Sequence, residues 1–252
     1  MKKIENIRYS NESEEQLLEI FLPETQESFP VFLYFHGGGL EAGSYKDFEN
    51  LAKVLTENGA ALVSAEYRKY PAAKYPEYIE DAALAVKWTV DNISFYGNAG
   101  KIYVGGSSAG GYLSMMLCFD GKYLENAGVE YDAVSGYFHD AGQPTSHFNL
   151  LREKGIDSRR VIVDETAPLF YVGMREKYPP MHFVVSDNDM TNRYEQTMLM
   201  LSTLSHFGFG KETASVTLMH GRHCAYVRTL DENGNNVLGL MVVDFMKKTG
   251  AF

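Results

Sequence analysis

Residues Ile102 to Gly111, reading Ile-Tyr-Val-Gly-Gly-Ser-Ser-Ala-Gly-Gly, constrain the fold more than any other stretch of the chain. A β-branched and aromatic run, Ile102 to Val104, enters a turn of small residues. An apolar helical pattern through Tyr112, Leu113, Met116 and Leu117 leaves it. Gly106-Ser107-Ser108-Ala109-Gly110 fits G-x-S-x-G with Ser108 at its centre, in the strand–turn–helix setting that exposes a serine on a strained bend. Side chains two residues to either side would collide on so sharp a turn, and glycine stands at both positions. The following helix aims its N-terminal N–H groups at the bend, where they favour developing negative charge. Ser107 is the rival centre, but its flanks would be Gly105 and Ala109.

The rest of the chain supplies a frame for that bend. Leu17 to Leu22 reads as a first strand, a polar loop spans Glu24 to Ser28, and Val31 to Phe35 is an unbroken apolar run of the kind buried on both faces of a sheet. Phe48, Leu51, Ala52 and Leu55 recur at helical spacing up to Gly59, and Ala61 to Ala65 is another buried strand. A proline-punctuated loop, Tyr67 to Tyr75, precedes a long helix after Pro76 with Ile79, Ala82, Ala83, Val86 and Val90 on one face. Beyond the bend, Tyr131 to Val134 reads as a weaker strand and Met181 to Val185 as a clear one. Tyr194 to Leu204 is helical, Ser215 to Met219 a last strand, and Val237 to Met246 a closing amphipathic helix. Strands alternating with helices predict an α/β fold, a mostly parallel sheet covered on both faces. At 252 residues and 45% apolar content it is expected as one domain, residues 1–252. Residues 139–180, rich in polar residues and prolines, read as a small lid-like excursion over the site.

Ligands of such sheets collect at the carboxyl ends of the strands, and His36, Ser108, Asp189 and His223 each fall just past one. A serine hydroxyl is a weak nucleophile until an imidazole takes its proton, and that imidazole needs a carboxylate to fix its tautomer. Ser108, Asp189 and His223 follow in an order that such triads use. His220 competes with His223 as the base, and Asp187 with Asp189 as the acid. His36-Gly37-Gly38-Gly39 offers bare backbone N–H groups suited to an oxyanion, with the N–H of Ala109 completing the set. His139, Asp140 and His147 lack metal-ligand spacing and read as solvated loop residues. Gly105-Gly106 with Gly110-Gly111 lacks the G-x-G-x-x-G spacing of a dinucleotide turn.

The formal charge of −10 and the lack of a basic stripe exclude a nucleic-acid partner. Lys2 and Lys3 lead into no apolar signal run, and no stretch is long and apolar enough for a membrane span. Cys118 and Cys224 are too few for a disulfide framework; Cys118 reads as a buried small apolar residue, and a reduced, cytoplasmic setting is expected. A homo-oligomer is compatible with the sequence, which carries no mark of one.

The chain resembles the α/β-hydrolase fold esterases and lipases of the hormone-sensitive-lipase type, small bacterial acetyl esterases and feruloyl-esterase-like proteins. The likeness rests on His36-Gly37-Gly38-Gly39, Tyr67-Arg68 with Pro71, Pro76 with Asp81 before Trp88, and Gly106-Ser107-Ser108-Ala109-Gly110-Gly111. Pro179-Pro180 leading to Asp189, and His223, extend it. It implies Ser108 as nucleophile, Asp189 and His223 as its triad partners, and Gly38, Gly39 and Ala109 as oxyanion donors. Ser107 stands where many members carry an acid, and Ser186 where a glycine is common. The segment before Phe29 is too short for the helical cap of the larger lipases. The expected activity is hydrolysis of small, short-acyl carboxylic esters through an acyl-enzyme, without metal or other cofactor. An amidase, formamidase or peptidase on the same triad, and an inactive binding module, are the alternatives.

Overall fold

The computed structural model of the chain describes residues 1–24 and 28–252. Its strands are β1 (Lys2–Arg8), β2 (Leu17–Leu22), β3 (Phe29–Phe35), β4 (Ala61–Ala65), β5 (Ala99–Ser107), β6 (Val134–Asp140), β7 (Met181–Asn188) and β8 (Ala214–Arg222). They form one sheet in the order β1-β2-β4-β3-β5-β6-β7-β8. From β4 to β8 every pairing is parallel; β1 with β2, and β2 with β4, are antiparallel. The helices are α1 (Glu49–Glu57), α2 (Glu77–Asn92), α3 (Ala109–Phe119), α4 (Lys122–Asn126), α5 (Phe148–Glu153), α6 (Arg193–His206) and α7 (Val237–Lys248). This is the expected α/β-hydrolase architecture, and among the described residues no helix is long and apolar enough to cross a membrane.

Two cores flank the sheet. On one face Leu51 and Leu55 of α1 meet Leu238 and Val242 of α7 over Phe32 and Tyr34 of β3. On the other, Ile79 and Val86 of α2, Leu113 and Met116 of α3, and Met200 of α6 cover Leu33 and Val104. Leu33 and Tyr34 thus point to opposite faces, as the two-residue period of a strand demands, and both are buried. All eleven residues of α3 are buried, which makes it the central helix. Cys118 lies within it, without a disulfide partner.

Several expectations need correction. Leu17 to Leu22 is the second strand: Lys2–Arg8 pairs along its edge, and its mix of lysine, glutamate and asparagine hid it. Tyr131 to Ala133 is a 3-10 turn, and the strand runs from Val134 to Asp140. The excursion therefore begins after Asp140. His139, Asp140 and His147 are not solvated: each is at most 1% exposed. His139 Nδ1 meets Ser114 Oγ at 2.9 Å, and His147 Nδ1 accepts the Asn149 amide at the start of α5. Much of the loop placed at Glu24 to Ser28, residues 25–27, lies outside the described residues.

Behind β4, Asp81 of α2 is fully buried and receives Arg68 through Nη2 at 2.7 Å and Nε at 2.9 Å, with Gln16 Nε2 at 2.7 Å. The bidentate pair ties the proline-rich loop to α2, and Gln16 brings the residue before β2 to the same carboxylate. A close backbone approach lies at the bend after β5. A Cβ on Gly110 would sit 1.9 Å from the Phe35 carbonyl oxygen, and one on Gly106 would sit 2.5 Å from it. Backbone packs on backbone there, so neither position has a flexible neighbour that can yield. Gly110→Ala is expected to cost about 3 kcal/mol of unfolding free energy. Urea denaturation measures it, and an unchanged midpoint would contradict the packing described.

Candidate active site

Ser108 caps the N-terminus of α3 with φ 56° and ψ −111°, a conformation that costs a non-glycine residue roughly 1–3 kcal/mol. The bend is held from both sides: the Ser108 amide donates to the Asp140 carbonyl at 2.8 Å, and the Ser108 carbonyl accepts the Tyr112 amide at 3.0 Å. Ser108 Oγ lies 2.8 Å from His223 Nε2, and His223 Nδ1 lies 2.5 Å from Asp189 Oδ1. With Nδ1–H donating to the carboxylate, Nε2 presents its lone pair to the serine hydroxyl. Burial opposes ionisation of Asp189. The His223 hydrogen bond and charge, with the Met190 and Ser186 amides, outweigh it and hold the carboxyl below its usual range. His220 and Asp187 form a second pair at 2.6 Å, but that imidazole is 88% exposed and does not meet Ser108. The two histidines lie three residues apart, and the structure brings only His223 to the serine.

Gly38 and Gly39 follow β3 with φ of +127° and +68°. A Cβ on Gly38 would lie 2.0 Å from the Ala42 carbonyl oxygen, so glycine is required there. Gly37 packs against the bend itself, its Cβ position 3.2 Å from Ser108 Cβ. Among the described residues the amides of Gly38, Gly39 and Ala109 have no hydrogen-bond acceptor. They are therefore available to an oxyanion. His36 anchors this loop from behind: Nε2 meets buried Glu66 at 2.6 Å, Nδ1 meets the Gly37 carbonyl at 2.7 Å, and its ring stacks on Tyr67. From the other side Asn149 Nδ2 of α5 donates to the Gly39 carbonyl. The resulting cavity holds about 540 Å³. Phe48, Phe148, Met190 and Val227 are its apolar walls. Leu150 and Leu151 instead enter the core, and Phe170 faces solvent. Among the described residues no cluster of three or more His, Cys, Asp or Glu is arranged to hold a metal ion.

Tyr34, Tyr226 and Asn149 escaped the sequence reading, and Asp140, read there as a solvated loop residue, is buried beside the serine bend. Across the β5–β6 register Ser107 faces Asp140, and its hydroxyl donates to Oδ2 while accepting Tyr34 OH at 2.8 Å. Tyr226, three residues past His223, donates to Oδ1. One buried carboxylate thus ties the residue before the serine to the segment after the histidine. The available signal was the serine at position 107: the acid that many related bends carry there is supplied here from the neighbouring strand. Burial pushes Asp140 up to about 6, against the opposing pull of Ser107, Tyr226 and His223. A carboxyl raised on folding favours the native state fully below its unfolded value near 3.9. That contribution fades as pH rises to about 6 and is then gone. Relative to Asp140→Asn, wild-type stability should therefore fall by about 2 kcal/mol between pH 4 and pH 7. Paired urea titrations at the two pH values measure the change, and a constant difference would contradict it.

A protein-family model described as BD-FAE matches residues 18–204. Carboxylesterase NlhH of Mycobacterium tuberculosis is 33% identical over 97 residues, covering 38% of this chain and 30% of that protein. Esterase LipI of the same species is 36% identical over 103 residues, covering 39% and 32%. These matches span about a third of each relative's length. The thermophilic esterase Est2 of Thermogutta terrifontis superposes with a TM-score of 0.77 at 19% identity, over 98% of this chain and 92% of that one, and so shares the fold. The family model runs from β2 through most of α6 and takes in Ser108 and Asp189; on that match the chain belongs to the BD-FAE family.

Proposed function

We propose that the chain is a serine hydrolase that cleaves small carboxylic esters through an acyl-enzyme. The observation that carries this reading is the continuous path from Ser108 Oγ through His223 to Asp189, beside three unengaged backbone amides. In acylation Ser108 Oγ attacks the ester carbonyl carbon while His223 Nε2 takes its proton. The carbonyl oxygen becomes an oxyanion facing the amides of Gly38, Gly39 and Ala109. Collapse of the tetrahedral adduct releases the alcohol, which takes the proton back from His223. Water then repeats the sequence on the acyl-enzyme, its oxygen bonding the acyl carbon as His223 accepts its proton. His223 returns that proton to Ser108 Oγ as the ester bond to Ser108 breaks, and the carboxylic acid leaves. Asp189 holds the imidazole in one orientation and stabilises its protonated form throughout.

A short acyl group suits the cavity best. Each buried methylene is worth roughly 0.8 kcal/mol, so a long chain needs apolar wall. Of Phe148, Leu150, Leu151, Phe170 and Tyr171, the excursion residues that could build it, Phe148 alone lines the cavity. The excursion is read as a cover within one domain, not a second domain, and the free thiols of Cys118 and Cys224 suit a reduced, cytoplasmic setting. Hydrolysis of 4-nitrophenyl acetate, butyrate and octanoate by wild type, Ser108→Ala and Ser107→Ala tests the proposal. Ser108→Ala should lose kcat by on the order of a million-fold, whereas Ser107→Ala keeps substantial turnover. Wild-type kcat/KM should fall beyond butyrate. Near-wild-type turnover by Ser108→Ala would overturn the mechanism, and a rise through octanoate would overturn the short-acyl reading.

A further inference from the structure

A second cavity of about 490 Å³ adjoins the catalytic one, with Phe148 and Met190 forming walls of both. Its lining has a charge opposite to that of the molecule. The chain carries −10 overall, yet Arg159, Arg160 and Arg193 line this cavity and, among the described residues, no carboxylate does. Arg193, the first residue of α6, is 3% exposed. Its guanidinium is held by the Ala141 carbonyl and by Gln143 Oε1 at 3.2 Å, both neutral acceptors. Among the described residues no carboxylate oxygen lies within 4 Å of it. Asp189 is the acid that acts on it, and that carboxylate is already engaged by His223. A buried cation without an ion-pair partner is costly, and an anion brought to it would recover part of that cost. Burial lowers the Arg193 guanidinium to about 10, which leaves it charged at neutral pH.

At the rim, Arg159 is paired with Asp157 at 2.6 Å, whereas Arg160 is exposed and forms no ion pair among the described residues. The fork of an arginine matches a carboxylate through two parallel hydrogen bonds. Gln143 and Gln196 supply further polar groups to the wall. We infer that this second cavity is an anion subsite and that the ester substrate carries a carboxylate on the part of the molecule reaching past Phe148 and Met190. The inference rests on the ester-hydrolase reading of Ser108. Either end of the ester could carry the carboxylate, and the same arginines would recognise it.

Two matched substrate pairs distinguish the ends. On the acyl side, 4-nitrophenyl hemiglutarate is compared with 4-nitrophenyl 5-methylhexanoate. On the alcohol side, 4-acetoxybenzoate is compared with 4-isopropylphenyl acetate. Each is assayed with wild type and with the exposed-residue variants Arg160→Ala and Arg159→Ala/Arg160→Ala, at low and at 0.5 M salt. For one of the two pairs, the charged-to-neutral ratio of kcat/KM should fall about tenfold in the double variant, and the wild-type ratio should fall with salt. The pair that responds identifies the end bearing the carboxylate. Ratios unaffected by the variants in both pairs would overturn the subsite while leaving ester hydrolysis standing. A wild-type chain that hydrolyses none of the four esters, nor 4-nitrophenyl acetate, would overturn the ester reading and the subsite together.

Discussion

The contact on which the rest of the molecule depends is backbone against backbone, where the turn after β5 meets the end of β3. The Phe35 carbonyl comes so close to Gly106 and Gly110 that no Cβ fits at either position. That closeness lets α3 start directly behind the strand and forces Ser108 into its positive-φ conformation at the rim of the sheet. It also sets the Gly37-Gly38-Gly39 loop, which continues from β3, against the same serine. One steric constraint therefore sets Ser108 and the glycine loop facing it side by side, and the side chains of His36 and Asn149 then brace that loop. The strain at Ser108, of order 1–3 kcal/mol, is carried by the buried α3 and by the sheet on which it packs.

Beneath this backbone arrangement lies a polar layer unusual for the centre of a sheet. Tyr34, Ser107, Asp140 and Tyr226 form one buried hydrogen-bonded chain, and His36, Glu66 and Tyr67 form another. Each joins strands to the loops that leave them: the first connects β3, β5 and β6 to the turn after His223, the second connects β3 to β4. Buried polar groups are favourable when every member is paired, and such pairing specifies one arrangement. Asn149 extends the same logic outward, since its bond to the Gly39 carbonyl makes α5 a support of the glycine loop, while Phe148 of the same helix lines the cavity.

The regular elements were legible because their apolar residues recur with a clear period. Val31 to Phe35 and Ala61 to Ala65 are buried from end to end, and the face of α2 followed from Ile79, Ala82, Ala83 and Val86. Ser108 was legible because its environment is steric, and steric demand writes glycine into the sequence. Asp140 was not legible for the opposite reason. Its role comes from register pairing with Ser107 and from two tyrosine hydroxyls distant in sequence, and no local pattern encodes that. β1 was missed because an edge strand is half-exposed and its polar residues resemble a loop. Arg193 was hidden similarly: at the start of an amphipathic helix it reads as a solvated charge, and only the fold buries it.

The central claim is that the hydroxyl of Ser108, and not that of its neighbour, is the reactive nucleophile. Ser107 is 3% exposed and bonded on both sides, to Tyr34 and to Asp140, while Ser108 faces the cavity with His223 at 2.8 Å. Treatment with diisopropyl fluorophosphate, followed by intact-mass measurement and peptide sequencing by mass spectrometry, reads this directly. The account predicts one diisopropylphosphoryl group per chain, located on Ser108 and lost in His223→Ala. An adduct on Ser107, or no adduct on the native chain, would contradict it.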